Sequence, residues 1–398
     1  MKRFSLTSVL FALAAFLPAA HAQWQSITYT LRGGWNAIYL HGDANHATIE
    51  QILSGNPEVV SIWRWNANAS QIQFGTSSII PAAGTPDWSI WTRGNSGLST
   101  LASLNGQTAY LIECTGGVGN TYSIPIPQKV QPPRSTWVRN GANLLGFPTR
   151  LNTGVYPLFS NYFATFPVAI AANTKIYQYV GGPLGAGNPI QVFAPASERI
   201  DRTQAYWFEA AVVGSFYAPL EISPSNLDGL HFGRTGSLIT VRVRNRTAAA
   251  VTLTVTPVDS APAPAGQESI TAVVPLTSHA FDTNTATYVD TPVNGAFNQV
   301  IGPQSAIELS FGVNRAQIIG AVNALYASLL RFTESSNLMD VALPVSARVT
   351  SLAGLWVGDI ALTGVQSNVP GSPGTLSLIH ISEPTRLRRI SYAVFCLK

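Results

Sequence analysis

Four residues that could bind a metal ion lie within ten positions of one another: His41, Asp43, His46 and Glu50. Imidazole nitrogens and carboxylate oxygens are common ligands of divalent transition metals, and His46 and Glu50 stand one helical turn apart. Metal binding by these four side chains is therefore one hypothesis. Because the spacing matches no established zinc motif such as His-Glu-x-x-His, the alternative is a polar strand-to-helix loop in which Asn45 caps the helix.

The first hundred or so residues are also rich in tryptophan. Exposed indole rings could stack on sugars, but rings on alternating strands with few charges usually pack inward. Trp63 and Trp65 share one face of a predicted strand, so both are expected to be buried or both exposed. Trp88 and Trp91 are not same-face neighbours, and they are the predicted glycan-stacking residues if any ring is exposed.

Arginine recurs at alternate positions in one later strand, at Arg242, Arg244 and Arg246. This stripe could bind an anionic glycan, or it could be a solvated sheet face or a guarded edge strand. The sequence contains no Gly-x-Ser-x-Gly elbow and no nucleotide-binding loop in a strand-to-helix setting. We therefore predict no enzymatic activity and no cofactor.

The composition predicts an all-β fold. Charged residues make up 11% of the sequence, and its 33 glycines and 26 prolines separate short runs of β-branched and aromatic residues. Such runs are typical of many short strands joined by turns. Helical periodicity is brief, and it predicts one short helix over residues 47–53 and a second over 316–325.

A repeat organises the first 224 residues. Gly34-Trp35-Asn36 returns as Gly141-Ala142-Asn143, and each copy is followed by an aromatic strand. Each then closes on an Ala-Tyr strand that ends in glutamate, at Ala109–Glu113 and Ala205–Glu209. We predict tandem small β-domains, over 23–127 and 135–224, joined by a linker over 128–134.

The pattern changes after the repeat. Some seven alternating strands over residues 225–350 predict an immunoglobulin-like β-sandwich. Residues 351–375 begin a further β-domain that we expect to be truncated.

Both ends of the chain have a different character. Residues 1–22 predict a secretory signal peptide, with Lys2 and Arg3 before an apolar run and a small-x-small site ending at Ala22. Residues 376–398 resemble a translated sequencing-library adapter and are expected to be a non-native tail. Without the two basic residues of the signal and the four basic and one acidic residue of the tail, 17 basic and 18 acidic residues remain. This balance does not favour nucleic-acid binding.

The Gly-Trp-Asn start and the late Ala205-Tyr206-Trp207 strand resemble the "GWN…GYW" β-modules of large secreted bacterial proteins. Tyr39, His41 and Ala142 depart from that pattern. The resemblance implies export and modular architecture, and it brings no catalytic residues. We expect an exported structural or binding protein of the bacterial cell surface, the extracellular space or the periplasm, without a transmembrane segment in the mature chain. Polysaccharide or cell-surface components are the expected partners. The alternatives are an array of carbohydrate-binding modules or the accessory part of a hydrolase whose catalytic domain is lost.

Overall fold

The computed structural model describes residues 23–67, 81–135, 137–138, 141–150, 156–185, 187–210 and 214–350. In these residues the chain is nearly all β, as predicted, with two short α-helices and several 3₁₀ turns. The predicted signal peptide, the truncated β-domain over 351–375 and the tail lie outside the described residues.

The first unit is built from two antiparallel sheets. Its strands β1 to β7 are, in chain order, Trp24–Arg32, Gly34–Leu40, Gly42–Asp43, Val59–Trp65, Trp88–Thr92, Thr108–Cys114 and Thr121–Val130. One sheet has the order β1-β7-β3 and the other the order β2-β6-β4-β5. Apolar side chains from both sheets form one core, which includes Tyr29, Ile62, Tyr110 and Ile124.

A short helix packs on the core of this unit. The helix α1 (Ile49–Ile52) begins after Thr48, whose hydroxyl accepts a hydrogen bond from the Gln51 backbone N–H while the Gln51 side chain bonds back. The predicted cap at Asn45 is therefore wrong. Thr48 and Gln51 form a reciprocal capping box, which satisfies two backbone donors at once.

The second unit repeats the strand order of the first. Its strands β8 to β11 are Gly141–Leu145, Lys175–Gln178, Ile190–Gln191 and Tyr206–Ala210, and its helix α2 is Phe159–Tyr162. The sheet order is β8-β11-β9-β10, which corresponds strand by strand to β2-β6-β4-β5. Register corresponds as well, because Asn36 lies opposite Ile112 and Asn143 lies opposite Phe208.

The remaining strands form two further sheets around a shared core. Strands β12 to β22 are Leu220–Pro224, Leu230–His231, Leu238–Asn245, Val251–Asp259, Ile270–Ala272, Leu276–Asp282, Thr287–Pro292, Phe297–Ile301, Ala306–Val313, Leu325–Glu334 and Asp340–Arg348. The orders are β12-β14-β20-β17-β18 and β13-β22-β21-β15-β19, with β16 beside β21. Val243 of the first sheet and Phe332 of the second are both fully buried in one core, so the two sheets are layers of a sandwich.

The helix predicted over 316–325 does not form. A 3₁₀ turn occupies Arg315–Gln317, and β21 already begins at Leu325. Gly320 and Asn323 between them have φ values of 128° and 74°, which an α-helix cannot contain. The apolar spacing here was produced by a loop and not by a helix.

The two four-stranded sheets pack against each other through tryptophan. The ring of Trp207 is fully buried and lies edge-on to Trp65 and Trp88, with centroids 5.2 Å and 6.1 Å apart. The Trp65 indole N–H also donates to the Ala142 carbonyl at 3.2 Å. Edge-to-face rings add about 0.5–1.5 kcal/mol per pair beyond burial, so this layer joins the two units firmly.

Candidate functional site

His41 is buried where β2 ends. Its Nε2 lies 2.8 Å from the Arg202 carbonyl oxygen, and because a carbonyl can only accept, Nε2 carries the proton. Burial lowers the pKa of His41 well below 6.5, and the nearby Arg202 charge lowers it further. This imidazole is therefore a neutral hydrogen-bond donor inside the protein.

The other three predicted metal ligands face different partners. Asp43 accepts from the Gly106 N–H at 2.6 Å and from the Gln131 amide. The His46 ring packs edge-on against Trp24 at 5.0 Å. Glu50 accepts from the indole N–H of Trp91, and this bond holds the pKa of Glu50 below its usual value.

His41, Asp43, His46 and Glu50 therefore do not converge on one point, and the alternative of a polar loop describes them better than the metal hypothesis does. Among the residues that the structure describes, no group of three or more His, Cys, Asp or Glu side chains is placed to hold a metal ion. Sequence proximity did not bring the four side chains together, because each one connects its loop to a different neighbouring segment.

Trp88 and Trp91, the candidates for sugar stacking if any ring were exposed, both pack inward as the alternative interpretation expected. Their exposed fractions are 6% and 2%. Trp91 belongs to the core of the first unit and Trp88 to the tryptophan layer against the second unit, so the two rings point to opposite faces of β5. Both rings are buried because this sheet is covered on both faces.

Arg202 is buried where the three units meet, and it makes hydrogen bonds to each of them. One guanidinium nitrogen, Nη1, donates to the carbonyls of Thr149 and Asp340, each at 2.6 Å, and the backbone carbonyl of Arg202 accepts from His41. The Asp340 carboxylate is held by Arg331, whose Nε donates at 2.9 Å. Carbonyl dipoles and a nearby carboxylate thus offset a charge that would otherwise be costly to bury.

A narrow crevice beside Arg202 has a volume of about 20 Å³, and glutamine side chains supply much of its polar lining. That volume suffices for a water-sized occupant, and the crevice is too small for a sugar or a nucleotide. The polar side chains at this junction therefore contribute chiefly to joining the units.

Two exposed aromatic rings lie close together on the sandwich. Phe281 on β17 and Tyr288 on β18 have exposed fractions of 53% and 67%. The Tyr288 ring stacks on His279 with an interplanar angle of 2° and a centroid distance of 4.9 Å, and Asp290 bonds to His279 at 3.0 Å. This group was not predicted from the sequence, although rings at alternate positions beside polar turn residues were a usable signal.

The arginine stripe lies on the same sheet. Arg242 and Arg244 are exposed, whereas Val241 and Val243 between them are buried, as the alternation predicted. Arg246 pairs with Glu221 at 2.9 Å. The strand β14 is flanked by β12 and β20, so the stripe occupies a solvated sheet face and not an edge strand.

Comparisons with known proteins add no family. No protein-family model matches the sequence, and no curated protein is significantly similar to it. None of the helices in the described ranges has the length and apolar character needed to cross a bilayer.

Proposed function

We propose that this chain is an exported, modular structural and binding protein of the bacterial cell surface or extracellular space. The observation that carries the proposal is the use of its chemically versatile side chains as joints between β units. His41 and Arg202 connect all three units, and Trp65 and Trp207 lie in the layer between the first two. A protein that holds its modules in fixed positions suits a surface scaffold better than independently moving domains do.

Export is tested by following the full chain in a bacterial host. We expect a processed species that begins at Gln23 and lies outside the cytoplasm. Gln23 itself is attached to the sandwich, since its side-chain amide donates to the Val345 carbonyl at 3.0 Å. The matched control is Ala20→Arg, which disrupts the predicted cleavage site and should accumulate unprocessed chain. An unprocessed cytoplasmic wild-type chain would contradict the proposal.

Carbohydrate binding is the second candidate, and one observation favours it. The exposed rings of Phe281 and Tyr288 lie beside the Asp290 carboxylate on a sheet face, where rings can stack on a sugar while an oxygen accepts its hydroxyl protons.

A further inference from the structure

The exposed rings and the arginines lie on one continuous face of the five-stranded sheet. In register, Phe281 is opposite Tyr288, and His279 is opposite Ser310, which is opposite Thr240. Directly opposed residues point to the same side of a sheet, and alternate residues along one strand do so too. Arg242 and Arg244 therefore share this side with Thr240. Glu308, which is directly opposite Arg242, shares it as well. We name the set of Thr240, Arg242, Arg244, His279, Phe281, Tyr288, Asp290, Glu308 and Ser310 the aromatic–arginine face.

One end of this face is a preformed stacking surface. The rings of His279 and Tyr288 are parallel, and Phe281 lies edge-on to Tyr288 at 5.3 Å. Asp290 fixes the histidine. Because neighbouring rings already hold each other, stacking on a ligand costs little further ordering. The apolar C–H face of a sugar ring suits the aromatic side chains, and its hydroxyls suit Asp290.

The other end of the face carries more positive than negative charge. Among the described residues Arg242 and Arg244 take part in no ion pair, since Glu221, the acid opposite Arg244, is bonded to Arg246 at 2.9 Å. Glu308 lies opposite Arg242 on the same face without closing an ion pair, so two arginines stand beside one carboxylate and the excess charge is positive. Guanidinium groups bind carboxylates through two parallel hydrogen bonds, so these side chains are suited to an acidic ligand.

The separation of the two ends indicates a polymer. β18, which carries Tyr288, and β14, which carries the arginines, are three strand spacings apart, or roughly 14 Å at about 4.8 Å per spacing. A single sugar cannot cover that distance, whereas an extended chain of sugars can. A neutral polymer would accept hydrogen bonds from the guanidinium groups but would leave their charge unmatched.

We propose that the aromatic–arginine face binds an acidic polysaccharide, with Phe281 and Tyr288 stacking on sugar rings and Arg242 and Arg244 binding uronate carboxylates. This inference rests on the proposed function and names the ligand class of its binding activity. Ser310 lies on β20 between the strands of the two ends, its hydroxyl bonds to that of Thr240 on β14 at 3.2 Å, and both contribute polar contacts.

The test is calorimetric titration of the full chain with polygalacturonate, with dextran as the neutral polymer. We expect binding to polygalacturonate that weakens as sodium chloride is raised, and weak or no binding to dextran. Tyr288→Ala and Phe281→Ala should each weaken binding about three- to tenfold, and Arg242→Gln and Arg244→Gln about two- to fivefold each. The matched controls are Phe193→Ala, at a ring that is 81% exposed elsewhere, and Arg32→Gln, at an exposed arginine of the first unit.

Three outcomes would overturn the inference: no binding to polygalacturonate, equal binding to dextran, or equal losses in the control and face variants. Sedimentation velocity adds a fourth, since a dimer that Tyr288→Ala abolishes would assign the face to a second copy of the chain. None of these results would touch the export experiment, so failure of the ligand assignment is distinguishable from failure of the proposed function.

Discussion

Asn36 and Asn143 are buried residues whose side-chain amides hold the backbone in place at the start of a strand. The Asn143 Oδ1 accepts from the Val138 N–H at 2.6 Å, while its Nδ2 donates to the Val138 and Gly141 carbonyls, each at 3.1 Å. Asn36 makes the same three bonds to Arg32 and Gly34. The asparagine of the repeated motif is thus a structural residue, which binds the backbone just before its own strand.

Replacing this asparagine should destabilise the fold. Asn143 is 2% exposed, so Asn143→Ala leaves its backbone partners with poor access to water, and we expect the free energy of unfolding to fall by about 2–3 kcal/mol. Urea titration followed by fluorescence measures this loss. Asn161→Ala, at an exposed position of α2, is the control and should change stability little. Equal losses of stability in the two variants would contradict the role of Asn143 in holding the backbone.

His41 should make stability depend on pH. Its pKa is lowered in the folded protein, so below about pH 6.5 the unfolded chain binds a proton that the folded chain does not. Stability present at neutral pH is therefore lost as the pH falls below 6.5, by up to about 1.4 kcal/mol per pH unit.

The variant His41→Gln isolates this contribution. Its amide can still donate to the Arg202 carbonyl but cannot titrate, so its stability should fall less than that of the wild type between pH 7 and pH 5. Urea midpoints measured across that range provide the comparison. Parallel pH profiles for the two proteins would show that His41 is not the group responsible.

At the scale of elements, glycine at the start of β2 permits a backbone contact between units. The Trp35 N–H donates to the Gly182 carbonyl at 3.0 Å. Gly34 has a φ of 86°, and a Cβ built on it would stand 2.3 Å from the Gly182 oxygen. No other residue fits this position without moving β2 away from Gly182.

Gly34→Ala is therefore expected to lower the free energy of unfolding by clearly more than the left-handed backbone conformation alone would. The control is Gly84→Ala, where φ is 76° but nothing lies within 4 Å of the added Cβ, so that variant should lose only about 1–2 kcal/mol from the left-handed conformation. Thermal denaturation of both proteins measures the difference. A loss for Gly34→Ala no larger than that for Gly84→Ala would mean that β2 and Gly182 are not in contact.

The sequence predicted the strands better than it predicted what covers them. Alternation located β14 and the buried Val241 and Val243, and the repeated motif located the corresponding strands of the two units. Exposure of Trp88 and Trp91 could not be predicted, because it depends on a second sheet packed across β5. The metal hypothesis for the residues around His41 failed for the same reason. The hydrogen-bond partner of His41 is Arg202, which is 161 residues away in sequence.

At the scale of the whole described molecule, the three units share buried interfaces. The core of the second unit is continuous with that of the sandwich, where Phe208 and Phe332 belong to one cluster. Trp207 faces the first unit from the other side of the same sheet. Residues in one packed network unfold together more readily than independent modules do, so the fold favours one cooperative body.

Hydrogen exchange across a urea series tests that claim most directly. Peptides that contain β4 of the first unit, β11 of the second and β22 of the sandwich are compared in the full chain by pulse labelling and mass spectrometry. We expect all three peptides to lose protection at one common urea midpoint. A β4 peptide that exchanges at a clearly lower midpoint than the β11 peptide would contradict it, because the Trp65–Trp207 layer would then not bind the units into one body.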